Sequence, residues 1–196
     1  AANFSYFQSQ DLTWKFGVQG KILGFDYTSS FSDTVLFRID RSPYELAAYL
    51  KTKVPLGDSF IIEPGIRFNT YSDQKNNFFP ELRLGLKYLI NDDRYINFAV
   101  GNYHQFIQTA QDDFNPSIID FWIAIDKSVD AGASQQIVLG YEEYIDSRYK
   151  IQIEGYYKNI QNTLTFVDSR SSTDEILENS SVGDNFLMSD GYAYGL

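Results

Sequence analysis

Apolar residues recur at every second position over most of this chain. Leu12, Trp14, Phe16 and Val18 alternate with Thr13, Lys15, Gly17 and Gln19, and Leu46, Ala48 and Leu50 alternate with Glu45, Tyr49 and Lys51. The pattern continues with Ile62, Pro64, Ile66 and Phe68 opposite Glu63, Gly65, Arg67 and Asn69, and with Leu82, Leu84 and Leu86 opposite Glu81, Arg83, Gly85 and Lys87. Ile96, Phe98 and Val100 oppose Tyr95, Asn97 and Ala99, and Tyr149, Ile151 and Ile153 oppose Lys150, Gln152 and Glu154. Successive side chains of a strand point to opposite faces, so this period of two predicts strands with one apolar and one polar face. No helical period competes in these windows.

Two further patterns narrow the architecture. Short polar connections at Ser9 to Asp11, Pro55 to Asp58, Asn91 to Arg94 and Asp146-Ser147 alternate with long ones at Ser29 to Ser42, Ser72 to Asn77, Thr109 to Ala133 and Asp168 to Asp190. A soluble Greek-key sandwich gives no reason for such alternation, whereas an up-and-down transmembrane barrel has tight turns at one end and long loops at the other. The segments Ser59 to Tyr71, Phe78 to Ile90 and Tyr95 to Phe106 also exceed the ~5–6 residues of an ordinary strand and meet the ~9–11 that a tilted strand needs to cross a bilayer. The expected fold is all-β: an antiparallel up-and-down transmembrane β-barrel, present as a partial segment of a larger one. Tyr71, Tyr88, Tyr95, Tyr103 and Tyr157, near predicted strand ends, are expected in its interfacial girdles.

Composition agrees and removes other classes. The 196 residues include 15 Tyr, 16 Phe and 2 Trp, a mixture that favours strands. Sixteen Lys and Arg against 26 Asp and Glu leave a formal charge of -10, a surface that repels nucleic acid. With no cysteine and one histidine, His104, neither a Cys-ligated nor a multi-His metal site is available, and no cofactor is expected. No stretch approaches the ~20 apolar residues of a membrane helix.

Five stretches carry a family likeness. Phe79-Pro80-Glu81-Leu82-Arg83-Leu84-Gly85-Leu86-Lys87-Tyr88, Asn97-Phe98-Ala99-Val100-Gly101-Asn102-Tyr103-His104-Gln105 and Ser134-Gln135-Gln136-Ile137-Val138-Leu139-Gly140-Tyr141-Glu142 resemble the barrel of TonB-dependent outer-membrane receptors. Ile153-Glu154-Gly155-Tyr156-Tyr157-Lys158-Asn159 and Gly191-Tyr192-Ala193-Tyr194-Gly195-Leu196 are similar to later strands of the same barrels. The resemblance implies residence in the outer membrane of a Gram-negative bacterium, contact with its lipid, and active uptake of a scarce nutrient such as a siderophore, cobalamin, an oligosaccharide or a peptide. It also implies three further partners: a plug domain, the remaining strands of a barrel of roughly 22, and the TonB energy-transducing complex. Residues 1–196 are expected to form part of a single barrel domain without the plug and without a complete C-terminal strand. Strands running outward would be Leu12 to Tyr27, Ser59 to Tyr71, Tyr95 to Phe106 and Tyr149 to Phe166. Two other readings stay open: a complete barrel of eight to ten strands acting as adhesin, anchor or enzyme, and a soluble sandwich or lipocalin-like binder.

Candidate ligand-binding residues follow from the polar face and the mouth. Arg67, Arg83 and Glu154 stand on the prospective lumen wall, while Tyr103 and Gln105 end a strand at the prospective extracellular mouth. In the loop from Thr109 to Ala133, Asp120 and Trp122 alternate with Phe121 and Ile123; Trp122 and Phe121 offer apolar contacts beside polar groups, although Phe121, Ile123 and Ile125 are more readily explained as holding the loop down. The pairs Asp92-Asp93, Asp112-Asp113 and Glu142-Glu143 follow no calcium-loop spacing, and Glu142 and Glu143, as strand neighbours, must face opposite sides. His104 lacks a nucleophile elbow to serve, so it is expected at the rim, and no catalytic residue is assigned.

Overall fold

The alternating segments become strands in the computed structural model, which describes residues 1–9, 12–31, 34–110, 121–146, 148–166 and 181–196. In chain order they are β1 (Ala2–Phe7), β2 (Thr13–Ile22), β3 (Phe25–Phe31), β4 (Thr34–Arg41), β5 (Tyr44–Leu56), β6 (Phe60–Tyr71) and β7 (Phe79–Asn91). There follow β8 (Arg94–Gln105), β9 (Ile107–Ala110), β10 (Phe121–Ala124), β11 (Gly132–Ile145) and β12 (Tyr149–Phe166), then one helical turn, α1 (Val182–Asn185), and β13 (Phe186–Gly195). Nine of these strands form one sheet in the order β1-β2-β5-β6-β7-β8-β11-β12-β13. Each adjacent pair is antiparallel. This is an up-and-down meander, with β1 and β13 as its two unpaired edges.

Short and long connections alternate as expected. At one end the chain reverses tightly between Phe7 and Thr13, through Gly57 to Ser59, at Asp92-Asp93 and around Asp146. Gly57 has φ +64, a conformation that costs a residue without a side chain nothing. At the other end, residues 23–43 and 106–131 carry the separate hairpins β3-β4 and β9-β10. The continuous outward strand expected from Leu12 to Tyr27 is therefore corrected: it breaks at Leu23-Gly24, and the Leu23 amide bonds to the Pro43 carbonyl at 2.9 Å where the hairpin leaves the sheet. β13 likewise begins at Phe186, before the expected Gly191.

The register sorts the side chains into two faces. One cross-strand row reads Phe16, Leu50, Ile66, Leu82, and another Leu84, Val100, Ile137, Tyr157, Tyr194. Among the described residues no second layer covers this apolar face: Leu50, Leu82, Ile137, Leu139 and Ile153 are all exposed. Trp14, Ile66, Leu84 and Ile151 are likewise not gathered into a dry centre between stacked layers, and none belongs to the buried core. The opposite face carries Lys15, Lys21, Arg67, Arg83, Lys87, Glu142, Lys150 and Glu154. A single sheet with a bare apolar face and a charged opposite face is what a barrel wall requires.

Parity also corrects part of the predicted girdle. Tyr88 packs on Phe60 at 4.8 Å on the apolar face, and Tyr157 lies there beside Tyr192, as expected. Tyr71, Tyr95 and Tyr103 lie on the polar face instead. Tyr71 stands opposite Glu45, the Lys87 ammonium sits 3.9 Å over the Tyr95 ring, and Arg83 sits 4.6 Å over that of Tyr103. Counting from Ile66 and Phe68 puts position 71 with Arg67 and Asn69, so the period outranks a residue's interfacial preference.

Candidate functional site

The described parts of the long connections gather around one apolar cluster and form a cap at that end of the sheet. Tyr71 and Phe106 stack at 4.8 Å with rings 4° apart, Phe79 meets Phe106 edge-on at 4.9 Å, and Ile123, Ile125, Val129, Ala131, Leu164, Val182 and Phe186 complete the core. Leu23 packs against it from the β2 side. Each of the four long connections, or the strand ends flanking it, contributes. This cluster holds most of the buried apolar residues of the described chain, so the dry core sits at the long-connection end rather than beneath the sheet.

Asp126 ties the same connections together through polar bonds. Its Oδ2 lies 2.6 Å from an Arg41 guanidinium nitrogen and accepts the Val182 amide at 3.0 Å, while Oδ1 accepts the Ser128 amide at 2.9 Å and the Ser128 hydroxyl. Its backbone carbonyl accepts Gln74 Nε2 at 2.7 Å, and the same amide reaches the Val129 carbonyl at 2.9 Å. The Tyr71 hydroxyl donates to the Ile125 carbonyl at 3.2 Å. Arg41, Gln74 and Val182 come from three different connections, and Asp126 belongs to the fourth. One carboxylate thus satisfies donors that burial would otherwise strand.

Burial pushes the Asp126 carboxyl up, but the bonds from the Ser128 hydroxyl and the Val182 and Ser128 amides, with Arg41 beside it, outweigh this and hold the group below the usual carboxylate range. A depressed folded value stabilises the charged, folded form at any pH above the unfolded value of about 3.9, and that contribution is lost as pH falls through the folded value. The cap is therefore expected to resist protease uniformly from pH 8 to pH 5. Its cleavage by an acid-active protease should rise only below the ordinary carboxylate range.

Beside the cap, on the polar face, lies a cleft of about 560 Å3 between β9 and the wall formed by β8, β11 and β12. Tyr103, Gln105, Ser134, Gln136, Lys158 and Thr163 line it. The chain builds it by two departures from regular pairing. At Pro80, Asn102 replaces ladder bonds with its side chain, Nδ2 donating to the Pro80 carbonyl at 2.9 Å and Oδ1 accepting the Leu82 amide at 2.7 Å, and β7 and β8 separate beyond it. In β12 a register shift between Ile160 and Thr163 places Asn162 at φ 58. Asn162 Nδ2 then donates to the Ala131 carbonyl, and its own carbonyl accepts Gln108 Nε2, each at 3.0 Å. Such a bulge re-aims the strand above it.

The predicted site residues divide between several places. Tyr103 and Gln105 line the cleft together, and Arg83, stacked on Tyr103, stands just behind it with a 2.7 Å bond to Glu81. Arg67 belongs to another group, donating to Gln19 at 3.1 Å and Asn69 at 2.7 Å and lying 3.8 Å from Glu45. Glu154 accepts Gln152 Nε2 at 3.3 Å further along β12 and does not line the cleft. Trp122 is 64% exposed on the outer side of the β9-β10 hairpin, while Ile123 and Ile125 are buried, so the hairpin is held down by its isoleucines. Asp120 and the pair Asp112-Asp113 lie outside the described residues. His104 is turned toward Phe79 at 5.2 Å and Glu81 at 3.8 Å and is among the residues lining the cleft. Glu142 and Glu143 do face opposite sides, pairing with Lys150 at 3.1 Å and Arg94 at 2.8 Å, and among the described residues no cluster able to hold a metal ion forms. Asp126, Gln74, Gln108 and Asn162 were not singled out by the sequence; the one available signal was that Asp126 ends an alternating apolar run.

A nine-stranded meander with a bare apolar face, a polar opposite face and long connections gathered at one end is a wall segment of an up-and-down β-barrel. The crystal structure of the siderophore receptor PirA from Pseudomonas aeruginosa is similar to it, with a TM-score of 0.59 over 93% of this chain at 14% sequence identity. The likeness is one of fold, and the chain spans 35% of that receptor's length. No protein-family profile and no curated protein sequence matches the chain.

Proposed function

We propose that this chain is part of the barrel of an outer-membrane receptor for active nutrient uptake, supplying wall and extracellular mouth. The observation that carries the reading is the pairing of a bare apolar face with a mouth whose four connections share one core: the first suits lipid, the second suits ligand capture. In this mechanism the outer connections and a plug within the lumen bind a scarce nutrient. A TonB-type complex of the inner membrane then pulls on the plug to open a path, and the charged wall meets plug and passing ligand. The hydrogen-bonding edges at β1 and β13 would be closed by further strands, because lipid tolerates no open sheet edge. The fold likeness to a siderophore receptor supports the receptor class, and a chelated metal is accordingly one of the nutrient types to test.

The orientation is directly measurable, since the chain contains no cysteine. Trp122→Cys is expected to react with a membrane-impermeant maleimide on intact cells, and Asp92→Cys only after the outer membrane is permeabilised. Equal labelling of both sites on intact cells would overturn the reading. Uptake should also stop when the energy-transducing complex is deleted, and nutrient entry unaffected by that deletion would remove the active step.

A further inference from the structure

One register row of the polar face is unlike its neighbours. It runs Ser5, Lys15, Lys51, Gly65, Arg83, Gly101, Gln136, Lys158, Ala193 across eight consecutive strand pairings. The row contains four cations and no carboxylate, in a chain whose formal charge is -10. Lys15 and Lys51 stand directly opposite one another, an arrangement that repels. Among the described residues, Lys15, Lys51 and Lys158 make no ion pair; only Arg83 does, with Glu81. A local rule broken in this way marks a place where something outside the wall supplies the missing charge.

The geometry adds a direction. Lys158 lies nine residues beyond Tyr149, where β12 begins, whereas Lys15 lies only two beyond Thr13, where β2 begins. The row therefore slants from the mouth toward the short-turn end. Glycines let the flanking side chains lie across it: at Gly101 a Cβ would stand 3.0 Å from the Tyr103 hydroxyl and 3.3 Å from Arg83 Cγ, and at Gly65 it would stand 3.3 Å from Lys51 Cβ. At its upper end the row enters the cleft described above, where Lys158 faces Gln136 across β11 and β12, and where Ser134, Thr163, the imidazole-bearing His104 and the apolar Ile160 are also among the lining residues. A cation beside amides and hydroxyls, with an apolar patch and no carboxylate, matches a ligand that carries a carboxylate among hydroxyl groups on a compact carbon frame. The volume of about 560 Å3 suits one or two sugar-sized units, within the roughly 300–1,000 Å3 usual for small-molecule sites.

We infer that this cleft binds an acidic saccharide, Lys158 taking its carboxylate, and that the slanting row Lys158, Arg83, Lys51, Lys15 is the track along which the anion moves inward. The inference rests on the receptor reading and deepens it by naming the ligand class. The probes are digalacturonate and its neutral counterpart digalactose, titrated calorimetrically into the complete protein purified from outer membranes. Digalacturonate is expected to bind at least tenfold more tightly. Lys158→Gln should remove that preference, and Lys158→Arg should keep it. The double variant Lys15→Gln, Lys51→Gln should bind digalacturonate within about twofold of the parent yet take it up several-fold more slowly in cells.

Equal binding of the two probes by the parent, no binding of either, or a preference that survives Lys158→Gln would overturn the site. Uptake unchanged in the double variant would overturn the track. Heat-modifiable electrophoretic mobility of each preparation separates these outcomes from the broader reading: a protein that inserts and folds but ignores digalacturonate loses only this assignment, and one that never inserts loses the receptor reading as well.

Discussion

Replacing Asp126 with Ala is expected to open the mouth while leaving the sheet intact. The substitution strands the Arg41 guanidinium, the Val182 amide and the Ser128 amide, which the carboxylate holds at 2.6, 3.0 and 2.9 Å. Removing one partner of a buried ion pair costs roughly 3–5 kcal/mol, and because Arg41 keeps partial access to water the lower end applies, about 3 kcal/mol. That converts to an increase on the order of a hundredfold in the open population of the cap. Limited proteolysis of the inserted protein should report it as faster cleavage in the long connections, with the strand fragments surviving. Asp126→Asn keeps one acceptor oxygen, enough for either the Val182 or the Ser128 amide, and turns an NH2 donor toward the other, so its effect should fall between those of the parent and the alanine variant. Cleavage rates equal to the parent's in Asp126→Ala would show that the apolar cluster alone holds the connections together.

The second large effect separates the two faces of one strand. Val100 and Ala99 are adjacent in the middle of β8, yet Val100 sits in the apolar row between Leu84 and Ile137, and Ala99 on the polar face between Gly85 and Val138. In a bilayer, Val100→Arg places a guanidinium against acyl chains near the midplane and is expected to cost about 2–4 kcal/mol. Ala99→Arg, one residue away, enters an aqueous lumen beside a glycine and is expected to change stability by less than about 1 kcal/mol. Urea titration of the protein folded into phospholipid vesicles measures both. Similar small effects at the two positions would mean that both faces meet water, which would end the barrel reading.

These two experiments bear on different parts of the same architecture, and the wall was the easier to anticipate. Alternation at Leu82 to Leu86 and at Ile96 to Val100 defines two strands and their faces without reference to any partner, because side-chain direction in a strand depends only on position along the backbone. The alternation of short and long connections then orders the strands into a meander. Residue type is a weaker guide than parity. Tyrosine favours a lipid interface, yet Tyr71, Tyr95 and Tyr103 share the polar face with charged neighbours such as Arg67, Lys87 and Arg83.

The sequence by itself determined the sheet: its strands, its two faces and the end at which the chain lingers, since all three depend on spacing within short windows. Only the tertiary structure decided the mouth and the cationic row. Asp126, Arg41, Gln74 and Val182 are separated by up to 141 positions (41 to 182), and no local pattern couples them; they meet because burial leaves polar groups that one carboxylate can satisfy together. Lys15, Lys51, Arg83 and Lys158 likewise look unrelated along the chain. They become a single line only when hydrogen bonding fixes the register of neighbouring strands, because a shift of one residue in any pairing would turn those side chains to the opposite face.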